Sequence, residues 1–219
     1  MARLGRPALF LVTSGAARRK VDEGWQAAIS GASRAAAAGI DVIQVREPDL
    51  PDRALADLVR TVVGETDGSQ TMVVVNDRPD VAVSAGAAGV HLRADGMPAA
   101  RVRKLAPPGF LVGRSVHSLA EAREAALEGA VDYLFFGTVF RSASKSAGHA
   151  VQGTEALRIV CQSVGLPVIA IGGISARNAT EIAAAGAAGL AAIGLFAEGS
   201  LTESGGLRAL VRELRGAFG

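Results

Sequence analysis

A chain of 219 residues, 49% of them hydrophobic and with a mean hydropathy of +0.30, can bury a sizeable core in one large domain or two small ones. Its 23 Lys and Arg nearly balance 21 Asp and Glu, no basic block exceeds Arg18, Arg19 and Lys20, and aromatics are only 4%. The clustered basic and aromatic surface that nucleic acid requires is therefore not expected. Cys161, the single cysteine, excludes an intrachain disulfide and a multi-thiolate metal site, and its apolar helical setting fits a small core residue.

The N-terminal stretch MARLGRPALFLV has too short an apolar run for a secretory signal, and nothing in the chain approaches the roughly 18 apolar residues that span a bilayer. A soluble cytoplasmic protein is the expectation. Beyond the first apolar burst at 8–12, one pattern recurs around Gly39, Gly86, Gly129 and Gly186: a helix end rich in small residues, a glycine, then a β-rich burst, as in AAAAGIDVIQV and LEGAVDYLFF. Each glycine suits the left-handed residue that ends a helix before a buried strand. Further bursts at TMVVV, FLVG and PVIAI complete a series of strands near 8–12, 41–45, 71–75, 89–92, 110–113, 131–136, 167–171 and 188–193. Short apolar runs separated by amphipathic helices indicate a parallel sheet, and eight such units fit a single α/β domain, residues 1–219, folded as a closed (β/α)8 TIM barrel. An open doubly wound sheet is the alternative.

In such barrels the ligand lies at the carboxyl ends of the strands, and there the sequence turns polar and glycine-rich. In IQVREPDL after the second strand, Gln44 and Arg46 share one face by the two-residue period. Facing inward, Arg46 would offer a fork suited to phosphate; Glu47 is then expected to face outward, paired with a surface cation. VVVNDRPD places Asn76 and Asp77 at the third strand's end. There Asp77 either contributes to a Mg2+ site, with other ligands from elsewhere, or caps the helix that begins near Pro79.

In GRSVHSLAEA, Ser118 and Glu121 have the spacing of a capping box, while Ser115 and His117 alternate toward the mouth. His117 is either structural or chemical, and no matched acid, base and nucleophile set suggests hydrolysis. FGTVFRSASK brings Thr138, then a tail of Ser142, Ser144 and Lys145 that is either a phosphate cradle or a polar surface turn. Gly148 and Gly153 fit a mobile lid over 141–152. Last comes AIGGISARN, where Gly172 and Gly173 allow close backbone approach and Ser175 can cap a helix. With Gly194 after the eighth strand, they form the usual phosphate position of this fold, or simply a tight turn.

From Leu9 to Phe196 these stretches, taken in order, resemble the thiamine phosphate synthase and TenI family: IQVRE, VVVNDRPDVA, AGVHL, VGRSVHSLAEA, DYLFFGTVF with its SASK tail, and PVIAIGGI with Asn178. The resemblance implies an enzyme of thiamine biosynthesis that joins 4-amino-2-methyl-5-hydroxymethylpyrimidine diphosphate to a thiazole phosphate, releasing diphosphate with Mg2+. Gln44 and Arg46 would contact the pyrimidine diphosphate. Asn76 and Asp77 would support that diphosphate and its metal, and Ser115 and Lys145 would hold it as it leaves. Ser142, Ser144, Gly172 and Gly173 would take the thiazole phosphate.

Three departures weaken the synthase pattern: Pro48 replaces a lysine, Gly96 replaces a second metal-binding aspartate with Asp95 one position early, and Gly194 replaces a serine. They lean toward the TenI branch, which isomerises a thiazole phosphate carboxylate by proton transfer without metal. Yet Thr138 stands where that branch keeps its histidine, and an alcohol is a poor base at neutral pH. The synthase reading retains more of its positions. A thiazole tautomerase, with His117 or a carboxylate as base, and a noncatalytic thiazole or thiamine phosphate-binding regulator are the alternatives.

Overall fold

The eight apolar runs form eight parallel strands: β1 Ala8–Val12, β2 Val42–Val45, β3 Met72–Asn76, β4 Gly89–Leu92, β5 Leu111–Val116, β6 Tyr133–Gly137, β7 Val168–Ile171 and β8 Gly189–Ala192. Pairing runs in chain order and returns from β8 to β1, so the sheet closes into a (β/α)8 barrel and the open-sheet alternative is excluded. The computed structural model describes residues 4–5, 7–18, 20–141, 150–197 and 204–219. Ser142, Ser144, Lys145 and Gly148 lie outside the described residues.

Nine helices are described: α1 Glu23–Ala38, α2 Asp52–Glu65, α3 Pro79–Ser84, α4 Ala99–Leu105, α5 Leu119–Glu128, α6 Gly153–Ser163, α7 Ala179–Ala184, α8 Gly194–Ala197 and α9 Ser204–Gly216, with a 3-10 turn at Ala176–Asn178. Gly39, Gly86, Gly129 and Gly186 all take positive φ as their helices end, as the repeated pattern predicts. The start of α1 is fixed by Asp22, whose carboxylate accepts the Trp25 N–H at 2.7 Å. That bond satisfies one of the amides a helix start leaves free.

Because strand side chains alternate, each strand feeds two cores. One set, including Phe10, Val12, Val42, Val74, Leu111, Tyr133, Phe135 and Ile169, fills the barrel interior. The intervening residues, such as Leu9, Ile43, Val45, Val73, Val75 and Leu134, pack outward against the helices. Chain ends are tied at the amino-terminal face. Arg215 of α9 donates to the carbonyls of Pro7 and Gly39 and pairs with Asp41 at 3.0 Å, and Asp41 in turn accepts the Leu9 N–H at 2.8 Å. This places the closure opposite the polar strand ends. Cys161 packs half-buried against the outer core, where burial pushes its thiol up to about 11.

Candidate active site

The inward period of each strand, carried one step past the apolar interior, brings polar side chains to one mouth. On β2 and β3 the buried Gln44 donates from Nε2 to Asn76 Oδ1 at 2.9 Å. Asn76 therefore keeps its own Nδ2 hydrogens for another acceptor. Arg46 is exposed, its backbone N–H held by Thr13 Oγ1 at 2.8 Å. Its Nη1 lies 3.7 Å from where a side chain at Gly15 would begin, so the guanidinium reaches over the β1 loop.

Glu47 departs from expectation. It lies buried beneath that loop, accepting the N–H groups of Ala17 at 2.8 Å and Gly15 at 3.3 Å and a bond from the Thr13 hydroxyl. Burial raises its carboxyl above the usual range, while these three bonds and Arg46 pull the other way. The expected surface pairing with a cation is thus overturned: a turn with unpaired amides needs an acceptor, and a carboxylate next to Arg46 supplies two. The partners lie some thirty residues away in sequence, so no local pattern revealed them.

The capping alternative for Asp77 also fails. Arg78 occupies the N-cap position of α3 without a side-chain cap, whereas Asp77 adopts φ 56, outside the extended region a cap residue uses. Its carboxylate turns to β4, accepting the Arg93 N–H at 3.3 Å and pairing with Arg93 Nε at 3.2 Å. Asp95 pairs with the same Nε at 3.2 Å. The two carboxylates expected to share Mg2+ are therefore joined through a guanidinium.

Gly96 could not restore the missing ligand without rearrangement, since a Cβ there would begin 2.5 Å from Asp77 Oδ1. Mg2+ needs a nearly octahedral set of oxygens. Among the described residues no three His, Cys, Asp or Glu side chains are grouped to hold a metal ion. The described residues do not fit a protein-built Mg2+ site.

Ser115 lies on β5, which runs three residues further than the sequence suggests and so holds Ser115 within the sheet. Its Oγ is 2.9 Å from His91 Nε2, and His91 Nδ1 is 3.2 Å from Tyr133 Oη. His91 is 2% exposed and lies against Phe135, ring centroids 4.0 Å apart; desolvation lowers its pKa to about 3, so it is neutral. Room for the Tyr133 phenol comes from Gly113 on the neighbouring strand, where a Cβ would begin 2.5 Å from Oη. No local pattern marks His91 for this role, since its partners are 24 and 42 residues away in sequence.

His117 follows immediately after the strand ends and is exposed, with Nδ1 2.7 Å from the Gly137 carbonyl. A carbonyl only accepts, so Nδ1 carries a hydrogen, and in the neutral ring Nε2 keeps a lone pair. The capping box at α5 is displaced by one residue: Ser118 Oγ accepts the Glu121 N–H at 3.2 Å, but Glu121 reaches back to the His117 N–H at 2.7 Å.

Beyond β6 the chain stays paired with β7 as far as Phe140. Thr138 is buried, its methyl 2.5 Å from where a Gly172 Cβ would stand. At Gly173 a Cβ would meet the carbonyls of Phe140 and Arg141 at 2.6 and 2.5 Å. The double glycine thus serves a close approach by the β6 loop. Ser175 donates its N–H to Asn178 Oδ1 at 2.9 Å, and Asn178 Nδ2 donates to Gly173 O at 2.9 Å, which fixes the turn at the mouth. Gly194 is exposed at the start of α8.

Residues 10–196 match the family model described as thiamine monophosphate synthase. The chain is 44% identical over 169 residues to the thiamine-phosphate synthase of Methanoculleus marisnigri, covering 77% of this chain and 80% of that protein. It is 43% identical over 159 residues to the putative thiamine-phosphate synthase of Geobacter sulfurreducens, covering 73% and 74%. Among solved structures, the thiamine phosphate pyrophosphorylase of Pyrococcus furiosus superimposes with a TM-score of 0.81 at 31% identity, over 97% of this chain and 98% of that one. A 3-hexulose-6-phosphate synthase, at 16% identity and a TM-score of 0.66, shares the fold alone. With its barrel closed and its polar residues gathered at the carboxyl ends, this chain belongs to the thiamine monophosphate synthase family.

Proposed function

We propose that the protein is a transferase of thiamine biosynthesis, a thiamine phosphate synthase acting as one domain in the cytoplasm. It couples 4-amino-2-methyl-5-hydroxymethylpyrimidine diphosphate to a thiazole phosphate. The carbon–oxygen bond to the diphosphate breaks, the thiazole nitrogen donates its electron pair to the resulting pyrimidine methylene cation, and diphosphate leaves. No protein nucleophile is needed, and positioning and charge stabilisation carry the rate. The observation that supports it most is the family match over residues 10–196 on a chain whose Gln44–Asn76 pair and Ser115 occupy neighbouring inward positions at one mouth.

In this reading Gln44 and Asn76 present amide donors to the substrate, and Arg46, exposed beside the Glu47 carboxyl, meets the diphosphate. Ser115 supports the leaving group. Gly172, Gly173 and Gly194 border the thiazole phosphate, with Thr138 packed behind the first of them. The roles of Ser142, Ser144 and Lys145 rest on the resemblance. Asp77 and Asp95 do not make a Mg2+ cage, so among the described residues diphosphate neutralisation falls to Arg46 and the neutral donors of the mouth. The test is direct: incubate the pure protein with both substrates and Mg2+, and measure thiamine phosphate and pyrophosphate. Both products in equal amount are expected; binding of substrate with no product would leave a regulator instead.

One observation favours a second reading. His117, with Nδ1–H held by the Gly137 carbonyl, exposes Nε2 as a proton acceptor next to the position of Thr138. That is the arrangement an isomerase moving a proton on a thiazole carboxylate would use. Conversion of the non-aromatic thiazole isomer, lost in His117→Ala, would establish it.

A further inference from the structure

Tyr133, His91 and Ser115 run in line from the barrel interior to its mouth, and the hydrogen count along them admits one satisfactory arrangement. A neutral imidazole has one N–H and one lone pair. Tyr133 is wholly buried, enclosed by Phe10, Phe135 and His91, and among the described residues its hydroxyl meets only His91 Nδ1. Were Nδ1 protonated, the phenol would have to accept, and its own hydrogen would be left in an apolar interior without an acceptor. That costs the full desolvation of the group. An imidazolium would impose the same fault, and burial already disfavours it. Tyr133 therefore donates to Nδ1, the histidine hydrogen rests on Nε2, and Nε2–H donates to Ser115 Oγ. The serine's own hydrogen is then free to turn outward.

We propose that Tyr133 and His91 are positioning residues of a one-way hydrogen-bond chain that presents the Ser115 hydroxyl as a donor to an anionic phosphate oxygen bound in the mouth. The reverse direction would make Ser115 an acceptor, suited to an N–H of a ligand instead. Naming the diphosphate as that anion rests on the synthase reading; the direction of the chain does not.

Two measurements on the full-length protein test this. In 15N-labelled protein the His91 ring is expected as the Nε2–H tautomer, with no titration from about pH 5 to 8. An Nδ1–H tautomer, or protonation in that range, overturns the proposal. Inorganic pyrophosphate binding is then followed by calorimetry. Ser115→Ala should weaken it about tenfold, the loss of a bond to a charged acceptor. Tyr133→Phe should weaken it in the same direction by a smaller factor, with the Nδ1–H tautomer becoming detectable because the group that fixed the direction is gone. Unchanged affinity in Ser115→Ala overturns the anion assignment. Unchanged affinity and an unchanged tautomer in a folded Tyr133→Phe protein overturn the positioning role. Formation of thiamine phosphate by the wild-type protein decides the synthase reading independently of either result.

Discussion

Replacing Gly113 by alanine tests the packing beneath the candidate site, and its sign is the informative part. Alanine in a strand interior ordinarily gains about 0.5–1 kcal/mol over glycine by restricting the unfolded chain. Here the added Cβ would begin 2.5 Å from both Cε2 and Oη of Tyr133 and closer still to Cζ, where 3.4 Å begins ordinary contact; the ring must retreat by roughly 1 Å. It has nowhere to go, since Phe10, His91 and Phe135 surround it at centroid distances of 5.1, 5.5 and 5.5 Å in an interior packed like a solid. Overpacking of this kind costs about 1–3 kcal/mol, enough to outweigh the glycine term.

For a chain of this size, a net loss of about 1 to 2 kcal/mol corresponds to a fall in Tm of roughly 2–8 °C, read by thermal unfolding with circular dichroism. In a Tyr133→Ala background the same change should cost much less, because the methyl then enters a cavity; such coupling between touching residues is about 0.5–3 kcal/mol. A Gly113→Ala protein as stable as wild type, or more so, would refute the reasoning.

Glu47 should make stability depend on pH in the direction opposite to most carboxylates. Its folded pKa is raised by burial, so between the ordinary carboxylate value and that raised value the folded state binds more protons than the unfolded one, and stability falls as pH rises through this window. Urea unfolding of wild type and Glu47→Gln from about pH 4 upward should show that component in wild type only; parallel profiles would argue against it. Gln44→Leu removes the 2.9 Å bond to Asn76 and is expected to cost about 1 kcal/mol of stability and to raise KM for the pyrimidine diphosphate more than it lowers kcat. Arg93→Ala frees Asp77 and Asp95. Because a largely exposed pair is worth at most about 1 kcal/mol, Mn2+ affinity by electron paramagnetic resonance should rise by up to about fivefold, and an affinity equal to wild type would show that Arg93 does not compete with the cation.

Alternating apolar residues and glycines at helix ends are local signals, with causes that act within a few residues: side-chain period and the left-handed region. They carried the eight strands, their order and the turns around Gly39, Gly86, Gly129 and Gly186, and hence which end of the barrel holds Gln44, Arg46, Asn76 and Ser115. What the sequence could not supply was the state of any group whose partner comes from another strand. Glu47 was buried against amides of the β1 loop, Arg93 came between Asp77 and Asp95, and His91 found Tyr133 on one side and Ser115 on the other. Closing the barrel alone sets those distances. Charge, tautomer and hydrogen-bond direction at the mouth follow from desolvation and from counting donors against acceptors, and both exist only once strands far apart in the chain have been brought side by side.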